Sequence, residues 1–161
     1  GIGLPWYAVL GNHDWFGQPR AQFSSCTADG CPDVPPEWNM PFYNYSIVRP
    51  AGGGATMQLV FIDTFILSEG YSRNLMKQKA EIGVLQPDDL DFFDSWEKER
   101  RQRKLEQLRW LDETLGASAA DWLFVVGHYP VFSGGEHGDT RELVTDIKPL
   151  LERHKVDVYF S

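Results

Sequence analysis

Two short apolar runs that each stop at a glycine organise the reading of this chain. Trp6-Tyr7-Ala8-Val9-Leu10 ends at Gly11, and Trp122-Leu123-Phe124-Val125-Val126 ends at Gly127. A run without polar alternation is the pattern of a strand covered on both faces, so both are predicted as buried strands that hand polar residues to a loop. Between them, a brief helix is expected around Pro19 to Phe23, followed by a loop over 24–41 dense in Ser, Asp, Gly and Pro. Phe42 to Val48 and Thr56 to Asp63 read as a hairpin around the Pro50 to Gly54 turn. Residues 66–86 carry little pattern.

Pro87-Asp88-Asp89 has the composition of a helix start, since proline suits the first turn and acids complement its exposed amides. Leu105, Leu108, Leu111 and Leu115 recur at helical spacing as the expected buried stripe, with Gly116 as the C-cap. The run Arg100-Arg101-Gln102-Arg103-Lys104 is flanked by Glu97, Glu99 and Glu106, and reads as a solvated helix face. A helix from about Arg141 to His154, interrupted by Pro149, and a strand at Val156 to Phe160 complete the order. Strand, helix, strand implies a parallel pair joined by a crossover, and hence an α/β fold. Trp6, Trp110 and Trp122 are assigned to the core, and His154 to a helix end without a catalytic role.

Ligands of layered α/β folds gather at the carboxyl ends of the strands. Both polar clusters, 11–14 and 127–137, fall there. In Gly11-Asn12-His13-Asp14 an amide oxygen, an imidazole and a carboxylate arrive together as metal or phosphate ligands. A polar turn bonded to its own backbone would account for that tetrapeptide taken alone. Val125-Val126-Gly127-His128-Tyr129-Pro130 presents a second imidazole from a strand end, and Ser133-Gly134-Gly135-Glu136-His137-Gly138 carries a third on a flexible loop. Trp15 and Phe16, beside the first cluster, are candidates for the pocket wall.

Composition narrows the setting. With 161 residues, 42% of them apolar, the chain fits a single domain with a real core. A formal charge of -8 argues against a nucleic-acid partner, which requires a cationic face, and no apolar run reaches the length of a membrane span. An acidic protein acting on a phosphate must gain positive charge locally, and bound metals supply it. Cys26 and Cys31 form either a small local disulfide or two separate thiols, and Asn44-Tyr45-Ser46 fits the N-glycosylation pattern.

In combination, Gly-Asn-His-Asp after one strand, Val-x-Gly-His after another and Glu-His-Gly nine residues later resemble the metallophosphoesterase superfamily, in particular its tartrate-resistant purple acid phosphatase branch. Pro5-Trp6-Tyr7, Phe42-Tyr43, Asp63-Thr64, Gln107 to Leu111 and His128-Tyr129-Pro130-Val131 extend the resemblance. It implies an incomplete four-layer α/β/β/α sandwich, with residues 1–161 as one partial catalytic domain. It further implies hydrolysis of small phosphate monoesters with two metal ions, iron paired with iron or zinc and manganese as an alternative. Asn12 and His128 would ligate one ion, His13 and His137 would bind phosphate or protonate the leaving group, and Asp14 would orient its neighbours.

The branch's Asp-x-Gly and Gly-Asp-x-x-Tyr motifs are expected ahead of residue 1, and its Gly-His-x-His after Phe160. The chain alone is therefore expected to be inactive, and its setting secreted, lysosomal or vacuolar. Alternatives are a phosphodiesterase or nucleotide hydrolase of the same superfamily, or a scaffold that uses its long helix to bind a protein partner.

Overall fold

The structure, a computed structural model, describes residues 3–16, 18–24, 35–83, 90–136 and 138–161. Its centre is a four-stranded sheet in which Tyr45–Gly52 (β3), Ala55–Phe61 (β4), Trp122–Val126 (β5) and Val158–Phe160 (β6) lie side by side in that order. Strand β3 (Tyr45–Gly52) runs antiparallel to β4 (Ala55–Phe61), with Tyr45 opposite Phe61. Gly52, Gly53 and Gly54 all take positive φ in the turn between them, which is why the hairpin spends three glycines there. Strands β4, β5 (Trp122–Val126) and β6 (Val158–Phe160) are parallel, with Val60 beside Val125 and Val125 beside Tyr159.

Helices α1 (Thr64–Leu67), α2 (Glu69–Glu81) and α3 (Leu90–Gly116) connect β4 to β5. A wide π-type segment, Leu143–Ile147, runs into α4 (Lys148–Arg153) and completes the expected crossover to β6. The chain is thus a mixed α/β fold. Among the described residues no helix is long and apolar enough to cross a membrane.

Strand alternation divides the core in two. Val60, Leu123 and Val125 point to the helices and pack with Phe65, Leu67, Leu111, Leu115, Leu143 and Ile147. Phe61 and Tyr45 point the other way, onto Leu10, Phe23, Met40 and Tyr43. Burial of each such side chain contributes roughly 1.5–3 kcal/mol. Trp15 packs against both clusters and joins them.

Several sequence expectations change here. The run Trp6 to Leu10 does not enter the main sheet. Only Trp6–Tyr7 (β1) is a strand, paired in parallel with Trp38–Asn39 (β2), and the rest lies over the sheet face. Tyr45 holds it there, its hydroxyl donating to Ala8 O at 2.8 Å and Asn39 O at 3.0 Å. A wholly apolar run suits either placement, so periodicity could not separate them. Trp6 and Trp122 are largely exposed, and only Trp110 packs on the core. Trp122 shares its sheet face with Phe124, Val158 and Phe160, an apolar face that is open at Trp122, Val158 and Phe160.

On α3 the buried line is Arg100, Gln107, Leu111 and Leu115; Leu105 falls off it and is exposed. Gly116 closes the helix without positive φ, against the His154 ring, which itself meets Asp112 at 2.6 Å. The basic run is only partly a solvated face. Arg100 is 3% exposed, donates to Ile66 O at 3.1 Å and grips both Glu97 carboxylate oxygens. Arg103 lies 4.5 Å over the Tyr43 ring while donating twice to Glu99.

Arg100→Ala leaves the Ile66 carbonyl and Glu97 without this partner, and is expected to lower unfolding free energy by about 2–3 kcal/mol in chemical denaturation. Arg100→Lys should recover little, because an ammonium cannot make the forked contact. A change below about 0.5 kcal/mol for either variant would return the whole run to the solvated surface.

Candidate metal site

The turn after Leu10 is built by Asp14. Its Oδ2 accepts from Gly11 N at 2.8 Å and its Oδ1 from Gln22 Nε2 at 3.3 Å, while Asp14 N returns a bond to Gly11 O. The carboxylate is thereby used inside the loop, and Asn12 and His13 ride on its outer curve. Trp15, next in the 3-10 turn Asp14–Phe16, stacks on Phe65 at 5.1 Å and Tyr43 at 5.8 Å, and so roots the loop in the core. Trp15 is a core bridge; the Phe16 side chain lies outside the described set.

His128 enters from the end of β5. Its Nε2 stands 3.0 Å from Asn12 Oδ1, so a turn at one end of the chain and a strand end 116 residues away converge. Gly11 permits that approach: a Cβ there would lie 3.1–3.3 Å from three atoms of the His128 ring. Glycine is needed at this position for the packing of the imidazole, since its φ is not in the left-handed region. Partial burial lowers the His128 pKa, with Asp14 opposing and His13 adding to the shift. The neutral ring is favoured, the form a metal ligand takes.

The backbone of His128 is held by a residue that sequence reading noted only as a strand end. Thr64 Oγ1 accepts from His128 N at 3.2 Å and from Tyr129 N at 2.9 Å. Tyr129 O accepts from the Tyr159 hydroxyl at 2.6 Å. Gly127 fits between these groups: a Cβ would collide with the Tyr159 hydroxyl and come within 2.6 Å of Thr64 Cγ2. The available signal was positional, for Thr64 follows directly on a parallel strand's carboxyl end.

Asp63, beside it, is fully buried. Its Oδ1 caps α1 by accepting from Phe65 N at 2.9 Å, and Gln107 clasps its backbone N–H and C=O, each at 3.0 Å. Burial pushes the Asp63 carboxyl up to about 7, against the pull of the Phe65 and Ile66 amides, the Trp15 indole and Arg103. The indole lies near enough to favour the charged form without closing an ordinary hydrogen bond to Oδ2.

His13 stands exposed on the turn. His137, Cys26 and Cys31 lie outside the described residues, and Asn44 is half-buried just ahead of β3. Among the described residues no group of three or more His, Cys, Asp or Glu side chains is placed to hold a metal. Asn12 and His128 nonetheless fit such an ion as two members of a larger set. Two ligand atoms each about 2.1 Å from one ion and at right angles sit about 3 Å apart; here the 3.0 Å between them is spanned by a hydrogen bond from the imidazole to the amide oxygen.

The mixed α/β core thus brings an amide oxygen and an imidazole to one point beside the end of β5. The chain belongs to the calcineurin-like phosphoesterase family, whose sequence profile matches residues 2–161. It is 32% identical over 157 residues to tartrate-resistant acid phosphatase type 5 of Rattus norvegicus, covering 97% of this chain and 41% of that protein. Purple acid phosphatase 7 of Arabidopsis thaliana is also 32% identical, over 158 residues, 97% of this chain and 41% of its own length. The chain thus spans about two fifths of the curated relatives it matches. Among solved structures, GAP50, described as the anchor in the inner membrane complex of Plasmodium, superposes with a TM-score of 0.60 at 25% identity, over 98% of this chain and 42% of that one.

A carboxyl whose pKa rises on folding binds its proton more tightly in the native state, so Asp63 contributes most to stability below about pH 4 and loses that contribution as pH climbs to about 7. Asp63→Asn keeps the capping oxygen and removes the charge. Its unfolding free energy is expected to stay flat between about pH 4 and 7 where the wild type declines, leaving the variant ahead by about 1–3 kcal/mol at pH 7.5. Superimposable pH profiles would mean that Asp63 has the same pKa folded and unfolded.

Proposed function

We propose that this protein hydrolyses small phosphate monoesters at a dinuclear metal centre, with residues 1–161 as part of its catalytic domain and with Asn12 and His128 as two ligands of one ion. The observation that carries the reading is the 3.0 Å approach of Asn12 Oδ1 to His128 Nε2 from loops far apart in sequence. The purple and tartrate-resistant phosphatases among the relatives support the same chemistry. The metals, iron with iron, zinc or manganese, would neutralise the phosphate dianion and lower the pKa of a bound water for in-line attack.

The chain's own residues have defined tasks in this reading. Asp14 sets the turn that aims Asn12, and Gly11 leaves the imidazole its place. His13, exposed beside the pair, binds a phosphoryl oxygen or gives a proton to the leaving alcohol, and His137 shares that work. Two ligands fall short of the four or more such an ion takes, so the chain by itself would hold metal weakly and turn over little. The charge of -8 speaks against nucleic acid as substrate. The phosphatase relatives support a secreted, lysosomal or vacuolar setting. The likeness to an anchor protein favours one competing reading, a non-catalytic scaffold on the same framework.

In the full-length protein, His128→Ala is expected to cut hydrolysis of a model monoester by at least about a hundredfold and to lower bound metal with it. An unchanged rate would remove the enzymatic role of this site. Wild-type protein that holds no metal and hydrolyses neither monoester nor diester substrates would leave the scaffold reading in its place.

A further inference from the structure

The backbone that carries His128 is held from behind the site, in the core. Along β5 the main chain is held by sheet bonds as far as Gly127, whose N–H donates to Phe160 O at 2.9 Å. The next two N–H groups, those of His128 and Tyr129, leave the ladder and both donate to the single Thr64 hydroxyl. Thr64 is completely buried, so its hydroxyl is fixed in the core while the chain it holds runs out toward the surface at His128. The hydroxyl is itself constrained. Its β-branched side chain has few rotamers, its methyl is seated where Gly127 lacks a Cβ, and its main chain follows Asp63, which Gln107 clasps from α3.

We propose that Thr64 is a positioning residue for the metal-binding imidazole: by accepting the His128 and Tyr129 amides it places the ring of His128 at the Asn12 oxygen. This rests on the reading of Asn12 and His128 as metal ligands. Ligand geometry tolerates only about 0.5 Å of displacement, and loss of the Thr64 hydroxyl removes the acceptor that these two amides share. Thr64 touches neither metal nor substrate; it acts through the ligand.

The test uses full-length, metal-loaded protein with Thr64→Val, which keeps the shape and removes the acceptor, and Thr64→Ser, which keeps the acceptor. Metal content and the rate of metal loss to a chelator are measured on folded protein. Thr64→Val is expected to lose metal at least about tenfold faster than wild type, and Thr64→Ser to stay within about threefold. A Val variant with a lowered unfolding midpoint but an unchanged rate of metal loss would make Thr64 merely structural and overturn the proposal.

If Thr64→Val does not fold, amide hydrogen exchange on the wild type decides. Protection of the His128 and Tyr129 amides comparable to that of β5 supports the proposal, and exchange at loop rates overturns it. Wild-type protein without metal would sink the ligand reading and this proposal together, whereas a loaded wild type with an unchanged Val variant sinks this proposal alone.

Discussion

At the carboxyl end of β4, the main chain and Oδ1 of Asp63 and the hydroxyl of Thr64 bond to three different parts of the molecule. Asp63 ties its main chain to Gln107 of α3 and its carboxylate to the first turn of α1, and Thr64 receives the two amides that follow β5. All three of these side chains are buried. Sheet, longest helix and candidate site thus meet at two consecutive residues. A polar group left unpaired in such a place costs more than a made bond returns, so the arrangement is specified by what it would cost to break it.

Aromatic packing performs the equivalent task for the other loop. Trp15 lies between Tyr43 and Phe65, while Tyr43 is in turn covered by the Arg103 guanidinium and receives a hydrogen bond from Arg20. The Asn12 turn is therefore set against the same helical layer that Gln107 anchors. Both halves of the Asn12–His128 pair share one frame of reference. The Trp15 indole beside the buried Asp63 carboxyl joins the two supports directly.

Charge is distributed according to the same economy. The chain is acidic overall, yet the cations of α3 are not a surface ornament: Arg100 fills a buried polar slot under α1, Arg103 covers an aromatic ring, and Lys104 reaches Asp146 of the π-type segment. These three cations are thus committed to packing, whereas Arg101 and Lys98 stay at the surface.

Strand β5, the glycine-bearing hairpin, the long helix and the crossover to β6 were legible from the chain because each depends on local period or turn chemistry. Trp122 to Val126 is continuous and apolar, the 52–54 glycines demand positive φ, and Leu108, Leu111 and Leu115 keep helical spacing. Asn12 and His128 were singled out in the chain because each follows a glycine that closes an apolar run, and the structure brings the two side chains within 3.0 Å of each other. Tertiary structure alone decided that Trp6 to Leu10 lies over the sheet instead of within it, that Leu105 and Trp122 face outward, and that Arg100 is buried. It alone gave Thr64 and Gln107 their roles. Whether an apolar residue is covered, or a hydroxyl becomes an acceptor for distant amides, depends on partners tens of residues away, and no local pattern contains them.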